Sequence, residues 1–327
     1  MKKHWKTINL ALWLLALILV VWTLRQLPFD EMLAQLGGLS VGNWLLWTAI
    51  NLLILYLSVK RWQLLAMSLD CRLSLPRLFR LRQAGSTVSF LTPGPHFGGE
   101  PLQLYWLHSH FHLRLHRAAA MLGLDRLLET ATNLAVLLAG VLMLLGTAIM
   151  PAAEWLQISA ILAGLLSLML VGTGLLFRHP TWLAKRIRRL VPGRTEAESS
   201  GREGGWSALV NLLQNNLSWR HPRLWLALLL ALAGWAGLLL ELLVLLRFLG
   251  LSPTLSDVVL IMVGMRLAML LPAPGGIGTI EASLLWSFSF LGLPMTAAAG
   301  LIAMNRLRDA VVLLIGLGCL ASFQRPA

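Results

Sequence analysis

Long apolar runs separated by short, mostly basic connections dominate the chain. A helix needs roughly 20 apolar residues to cross the hydrocarbon core of a bilayer. Six runs reach or approach that length: Ile8 to Leu24, Val41 to Leu57, Leu127 to Met150, Leu156 to Phe177, Leu224 to Leu246 and Met295 to Ala321. Two further apolar stretches are broken by Pro/Gly-rich segments, Pro93 to Glu100 and Pro272 to Glu281. Ile8 to Leu24 follows a basic start, but it is too long for a signal-peptide core and lacks a small-residue cleavage site after it, so it reads as a retained first span. Composition agrees with this pattern: 57% of the 327 residues are hydrophobic and 13% charged, which excludes an ordinary soluble domain.

The two breaks resemble each other. The first reads Thr92-Pro93-Gly94-Pro95-His96-Phe97-Gly98-Gly99-Glu100, and the second Leu271-Pro272-Ala273-Pro274-Gly275-Gly276-Ile277-Gly278-Thr279-Ile280-Glu281. Each is P-x-P, a Gly pair, then Glu. A further shared pattern follows each, Arg126-Leu127-Leu128-Glu129 and Arg306-Leu307-Arg308-Asp309, and 33 residues separate Pro93 from Arg126 while 34 separate Pro272 from Arg306. These are corresponding positions of an internal repeat.

Charge then gives orientation. The net charge of +13 comes from cations between spans, not from a basic domain with interleaved aromatics, so it predicts topology and not nucleic-acid binding. The N-terminus, Lys60 to Arg82, Arg114 to Arg117 and Arg178 to Arg223 are placed in the cytoplasm, and the short connections Arg25 to Ser40, Pro151 to Glu154 and Gly250 to Asp257 outside. On that topology the first break enters from the cytoplasmic side and the second from outside.

Backbone at membrane depth must satisfy its own hydrogen bonds or lie within protein or against water. Pro ends a helix and Gly permits the sharp reversal. Each break therefore predicts a re-entrant helical hairpin, with a plain interfacial loop as the alternative. The expected fold is an all-α polytopic membrane protein of six full spans plus two re-entrant hairpins, arranged as two inverted repeats. Residues 1–150 form the first repeat, with its hairpin at about 84–105. Residues 151–327 form the second, with a polar cytoplasmic linker at 178–222 and an outer-side hairpin at about 257–292.

Charges within spans are costly and mark candidate sites. Arg306 and Asp309 share a helix face in the last run, and Arg126 and Glu129 are their counterparts. Glu100 and Glu281 open the return helices, where a carboxylate caps the helix dipole or receives a cationic group. Gly98, Gly99, Gly275, Gly276 and Gly278, with Pro93 and Pro272, shape N-termini whose N–H groups suit a phosphate. Asp125, Glu241 and Arg308 are secondary candidates, Glu241 needing a partner on another helix or a wet groove.

The histidines His108, His110, His112 and His116 lack an accompanying carboxylate or Cys at ligand spacing, so no metal site and no cofactor are expected. They read, with Arg72, Arg77, Arg80 and Arg82, as a surface facing anionic headgroups. Trp5, Trp22, Trp44, Trp62, Trp155, Trp182 and Trp225 read as interfacial anchors. Cys71 and Cys319 imply no disulfide.

The segments Thr92 to Leu102 and Leu271 to Ala282 resemble the two signature segments of the lysylphosphatidylglycerol synthase transmembrane-region family, which includes the flippase half of the bacterial multiple-peptide-resistance factor and stand-alone relatives. The resemblance covers nearly the whole chain and implies a lipid-translocating fold with two re-entrant hairpins. The aminoacyltransferase domain of that factor has no counterpart after Ala321, so a non-enzyme is expected.

The functional expectation is a flippase or translocation facilitator for a phosphate-bearing lipid (phospholipid, aminoacylated or glycosylated), its headgroup passing a polar groove at the hairpin tips. It is placed in the bacterial inner membrane with both termini cytoplasmic. The expected partners are anionic or phosphate-bearing membrane lipids and a lipid-synthesising enzyme, and no nucleic acid. The alternatives are a membrane-embedded transferase on a lipid phosphate, an accessory subunit of a lipid-modifying enzyme, and a small-solute transporter.

Overall fold

The computed structural model describes residues 37–91, 98–147, 152–178, 222–271 and 273–324. The expected first span at Ile8 to Leu24 and nearly all of the linker lie outside them, as do Pro93 and Pro272. The described residues form nine α-helices and no strand. They are α1 (Val41–Ser68), α2 (Leu75–Leu91), α3 (Glu100–Ser109), α4 (Leu115–Leu145), α5 (Ala152–Arg178), α6 (Pro222–Phe248), α7 (Leu255–Ala268), α8 (Thr279–Phe290) and α9 (Met295–Gln324). A 3-10 turn at Pro274–Gly276 precedes α8.

Four of these helices, α1, α4, α5 and α6, are long and apolar enough to cross a membrane. Helix α9 has 30 residues but carries Arg306, Arg308 and Asp309 at its middle. Helices α3 and α8, with 10 and 12 residues, rise only about 15 and 18 Å, well short of a hydrocarbon core of about 30 Å.

Two helices run further than the apolar pattern indicates. Helix α1 starts at the Ser40 cap, whose hydroxyl accepts from the Asn43 N–H at 3.2 Å, and continues past Leu57 through Lys60 and Arg61 to Ser68. Lys and Arg are good helix formers and do not stop it. The chain turns instead at Asp70, where φ is 56°, and Pro76 sits in the first turn of α2, where its missing N–H is tolerated. Helix α4 begins at Leu115, well before Leu127. Asp125, Arg126 and Glu129 therefore lie inside a helix and not at its start.

The helices pack in matched sets. Helix α1 lies along α6; α2 packs on α9 and α4 on α7; α2 contacts α3 and α7 contacts α8; α3 contacts α4 and α8 contacts α9. The turn before α8 packs on α2. One apolar core joins α6, α7, α8 and α9 around Phe288, Leu284 and Leu246. A second joins the end of α1 to α2, α3 and the start of α4 around Trp62, Leu78 and Met121, and takes in both Cys71 and Cys319. A third joins α4, α5 and α7.

Trp62 and Trp155 are 1% and 3% exposed, so they are core residues and not interfacial anchors. Trp62 is drawn inward because α1 runs on through it. Cys71 and Cys319 are free thiols, and burial pushes the Cys71 thiol above its ordinary value.

Candidate functional site

Two clusters of charge are folded into the helix core, one centred on α4 and one on α9. In the first, Asp125 of α4 is 3% exposed and both its oxygens are taken: Arg61 Nε of α1 donates to Oδ1 at 2.9 Å, and Arg82 Nη1 of α2 donates to Oδ2 at 2.8 Å. Glu129, one turn on, lies 3.3 Å from Arg61 Nη2 and 3.5 Å from Arg82 Nη2. It also accepts from Arg126 Nη1 at 3.1 Å. Arg126 Nε is 3.0 Å from Glu100 Oε1, an ion pair without an aligned hydrogen bond. Glu100 Oε2 accepts from the Gly98 N–H at 2.9 Å, and the Gly99 N–H donates to Ser89 Oγ at 2.9 Å.

The second cluster repeats part of this arrangement. Glu281 Oε2 accepts from the Gly278 N–H at 2.8 Å, and its other oxygen accepts from Arg306. Arg306 Nη1 also donates to Asp309 Oδ2 at 2.9 Å, and the same guanidinium faces the Gly275 and Gly276 carbonyls at 3.4 Å. Arg308 turns to α6, where its Nη1 donates to Glu241 Oε2 at 2.9 Å. Glu241 Oε1 accepts from Trp47 Nε1 at 3.1 Å and Asn51 Nδ2 at 2.9 Å, both on α1. The buried carboxylate thus finds its partners on two other helices.

Local sequence sets the tips of the two breaks differently. Gly99 has φ −84°, which any residue adopts, but a Cβ there would collide with the Gly85 carbonyl of α2. It is a close-approach glycine. Gly278 has φ 86° and Gly275 has φ 58°, so the second tip uses glycine for backbone conformation. At each break one glycine N–H expected to face a phosphate, that of Gly98 and that of Gly278, is occupied by the chain's own glutamate, while the Gly99 and Gly276 N–H groups are taken by Ser89 Oγ and the Ala273 carbonyl.

The structure brings Glu100, Asp125, Arg126 and Glu129 into one cluster, and Glu241, Glu281, Arg306, Arg308 and Asp309, with the Gly275 and Gly276 carbonyls, into the other. Sequence reasoning missed Arg61, Arg82 and Arg266 as members. Arg82 does not belong to a headgroup-facing surface: it and Arg61 both lie in the helix core, against Asp125. A usable signal existed, since Arg61 stands 180 residues before Glu241, the same offset as Arg126 to Arg306. Arg266 was legible as a lone cation in an apolar run. Of the histidines, His108 bonds the Leu113 carbonyl at 2.9 Å and His110 packs edge-on against Phe323.

Between α6, α7 and α9 lies a cavity of about 30 Å³, lined by Glu241, Arg266, Asn305, Arg308 and, among its apolar residues, Met262, Met265 and Met269. Arginine forks, with their planar donor sets, match phosphate and carboxylate oxygens.

The chain matches the family described as Lysylphosphatidylglycerol synthase TM region over residues 9–316. No match was found among curated proteins or solved structures.

Proposed function

Because this multi-pass membrane protein belongs to the Lysylphosphatidylglycerol synthase TM region family, we propose that it moves a phosphate-bearing lipid across the bilayer, as a flippase or translocation facilitator and not as an enzyme. The observation that carries the reading is the pair of latches. At each break a glutamate caps a glycine N–H and binds an arginine on a long helix, and that arginine also binds a carboxylate three residues on: Glu100, Arg126 and Glu129 in one, Glu281, Arg306 and Asp309 in the other.

In this reading the halves are inverted repeats and α2–α3 and α7–α8 are re-entrant hairpins. The shortness of α3 and α8 and the matched packing of α2 on α9 and α4 on α7 support that arrangement. A headgroup phosphate competes with the latch glutamate for the arginine. Exchanging one anion for the other frees the hairpin tip without ever leaving the guanidinium unpaired, which avoids the cost of a bare buried charge. Using the two latches in turn gives alternating access, the pattern expected of inverted-repeat transporters. The basic connections support a reading with both termini on the cytoplasmic side of a bacterial inner membrane, and a lipid-synthesising enzyme is the natural supplier of cargo.

The test is a proteoliposome assay with labelled lipids of several headgroups, comparing wild type with Arg306→Ala and Glu281→Gln. Losing charge-assisted hydrogen bonds worth about 1.5–3 kcal/mol each predicts roughly 10- to 100-fold slower translocation. Translocation indifferent to headgroup, or full activity in both variants, would overturn the reading.

A further inference from the structure

We propose that the cavity between α6, α7 and α9 is a binding site for a phosphate-type oxyanion, held by Arg266 and Asn305 beside Arg308. This deepens the translocation reading by naming where the headgroup first docks, and it rests on that reading for its role though not for its existence.

Two side chains carry the inference. Arg61, Arg82, Arg126, Arg306 and Arg308 each have a carboxylate within ion-pair distance. Arg266 has none among the described residues. Its guanidinium lies 4.8 Å from the Trp235 ring centroid, and its Nη1 reaches only the Met269 sulfur, at 3.7 Å, a weak acceptor. The second is Asn305, on α9, which is 7% exposed and whose Nδ2 donor has no hydrogen-bond partner. Both line the same cavity. A cation held by a ring face and a buried amide donor together form a donor set that complements an oxyanion.

The neighbouring charges do not cancel this. Glu241 also lines the cavity, but its oxygens are engaged by Arg308, Trp47 and Asn51. Asp309 stands 3.9 Å from Arg308 Nε and is bonded to Arg306. Arg306 itself is occupied by Glu281, Asp309 and two carbonyls, so among the described arginines lining this cavity Arg266 is the one without a carboxylate partner. At about 30 Å³ the cavity has room for groups of about the size of one or two waters. Met262, Met265 and Met269 form one wall, and methionine, flexible and polarisable, is the residue best suited to move aside for a larger group.

The experiment uses the full chain purified in detergent. Binding is measured for inorganic phosphate, for a short-chain phosphatidylglycerol and for a short-chain diacylglycerol, in wild type, Arg266→Met and Asn305→Leu. Saturable binding of phosphatidylglycerol but not diacylglycerol, weakened about 10- to 100-fold by Arg266→Met and less by Asn305→Leu, is the expected result. Binding of phosphate as tightly as the lipid would identify a free-anion site, and preference for the lipid a headgroup site.

Thermal unfolding without ligand separates a site from a structural role. Arg266→Met removes a buried cation that has no carboxylate and should raise the melting temperature, whereas a structural arginine would lower it when removed. Wild-type affinity in both variants, or no binding of either anion by wild type, overturns the site. If the site binds as expected while proteoliposomes show no translocation, the translocation reading fails and the site stands. If Glu281→Gln blocks translocation while Arg266→Met binds normally, the reverse holds.

Discussion

The α4 cluster and the α9 cluster contain the same number of charges of each sign and use them differently. Around α4, Arg61, Arg82 and Arg126 meet Asp125, Glu129 and Glu100, every cation having an anion and Asp125 bonded through both oxygens. Around α9, Arg306 is fully engaged, Arg308 is shared between Glu241 and Asp309, and Arg266 rests on a tryptophan. At offset 180 the buried charge on the long helix is even reversed, Arg61 facing an acidic α4 and Glu241 facing a basic α9. The first cluster is a closed lattice that ties four helices together. The second keeps a cation unspent beside a cavity, which is the arrangement expected where stability is given up for binding.

Breaking the closed lattice gives the largest effect. Asp125→Asn leaves Arg61 and Arg82 buried with one shared weak partner, and removing one member of a buried pair costs about 3–5 kcal/mol. Against a typical total stability of about 5–15 kcal/mol, that removes a large share of the margin, read as a lowered melting temperature and a smaller monodisperse peak in fluorescence-detected size exclusion. Glu241→Gln is the matched change in the other cluster. It should be milder, because Arg308 retains Asp309 at 3.9 Å. Equal losses in the two variants would show that the clusters do not differ in this way.

The tips of the two breaks sharpen the contrast further. Gly99→Ala drives a methyl group into the Gly85 carbonyl, and backbone cannot yield as a side chain does, so a cost of about 1–3 kcal/mol is expected from overpacking. Gly278→Ala asks an L-residue to hold φ 86°, at a cost of about 1–2 kcal/mol. The readout that distinguishes them is where the damage lands. Gly99→Ala should lower the melting temperature through the α2–α3 contact. Gly278→Ala should lower it less, but weaken the Glu281 latch and slow translocation.

How much of this was legible in the sequence follows from what each signal measures. The repeated Pro/Gly segments and the Arg-x-x-acid pairs exposed six latch residues, because duplication marks position regardless of packing. The boundaries of α1 and α4 were misplaced because hydropathy stops at a charge and a helix does not. Lys60 and Arg61 continue α1, and the basic entry of α4 precedes its apolar run by more than two turns. Counting cations to orient the chain treats Arg61 and Arg82 as connection charges for the same reason: the rule counts charge near a span end and is blind to a guanidinium folded back against Asp125. Trp62 and Trp155 were read as anchors because a tryptophan near a span end looks the same whether it faces lipid or core.

The smallest effect concerns the polar contact between α1 and α6. Trp47 and Asn51 of α1 both donate to Glu241 Oε1 of α6, so each supports the other's acceptor. Trp47→Phe preserves most of the ring packing and removes one N–H, with an expected cost of about 1 kcal/mol. Asn51 remains to hold the oxygen, so Asn51→Leu alone should cost about as little, whereas the double variant strips Oε1 of both donors and leaves a buried carboxylate oxygen unpaired. The double-mutant cycle should therefore show a loss larger than the sum of the single ones, by about 0.5–3 kcal/mol, in thermal unfolding of the purified chain. In the Glu241→Gln background the non-additivity should shrink, since a neutral amide oxygen needs its donors less. Strict additivity in both backgrounds would mean that α1 and α6 are joined by their apolar packing alone.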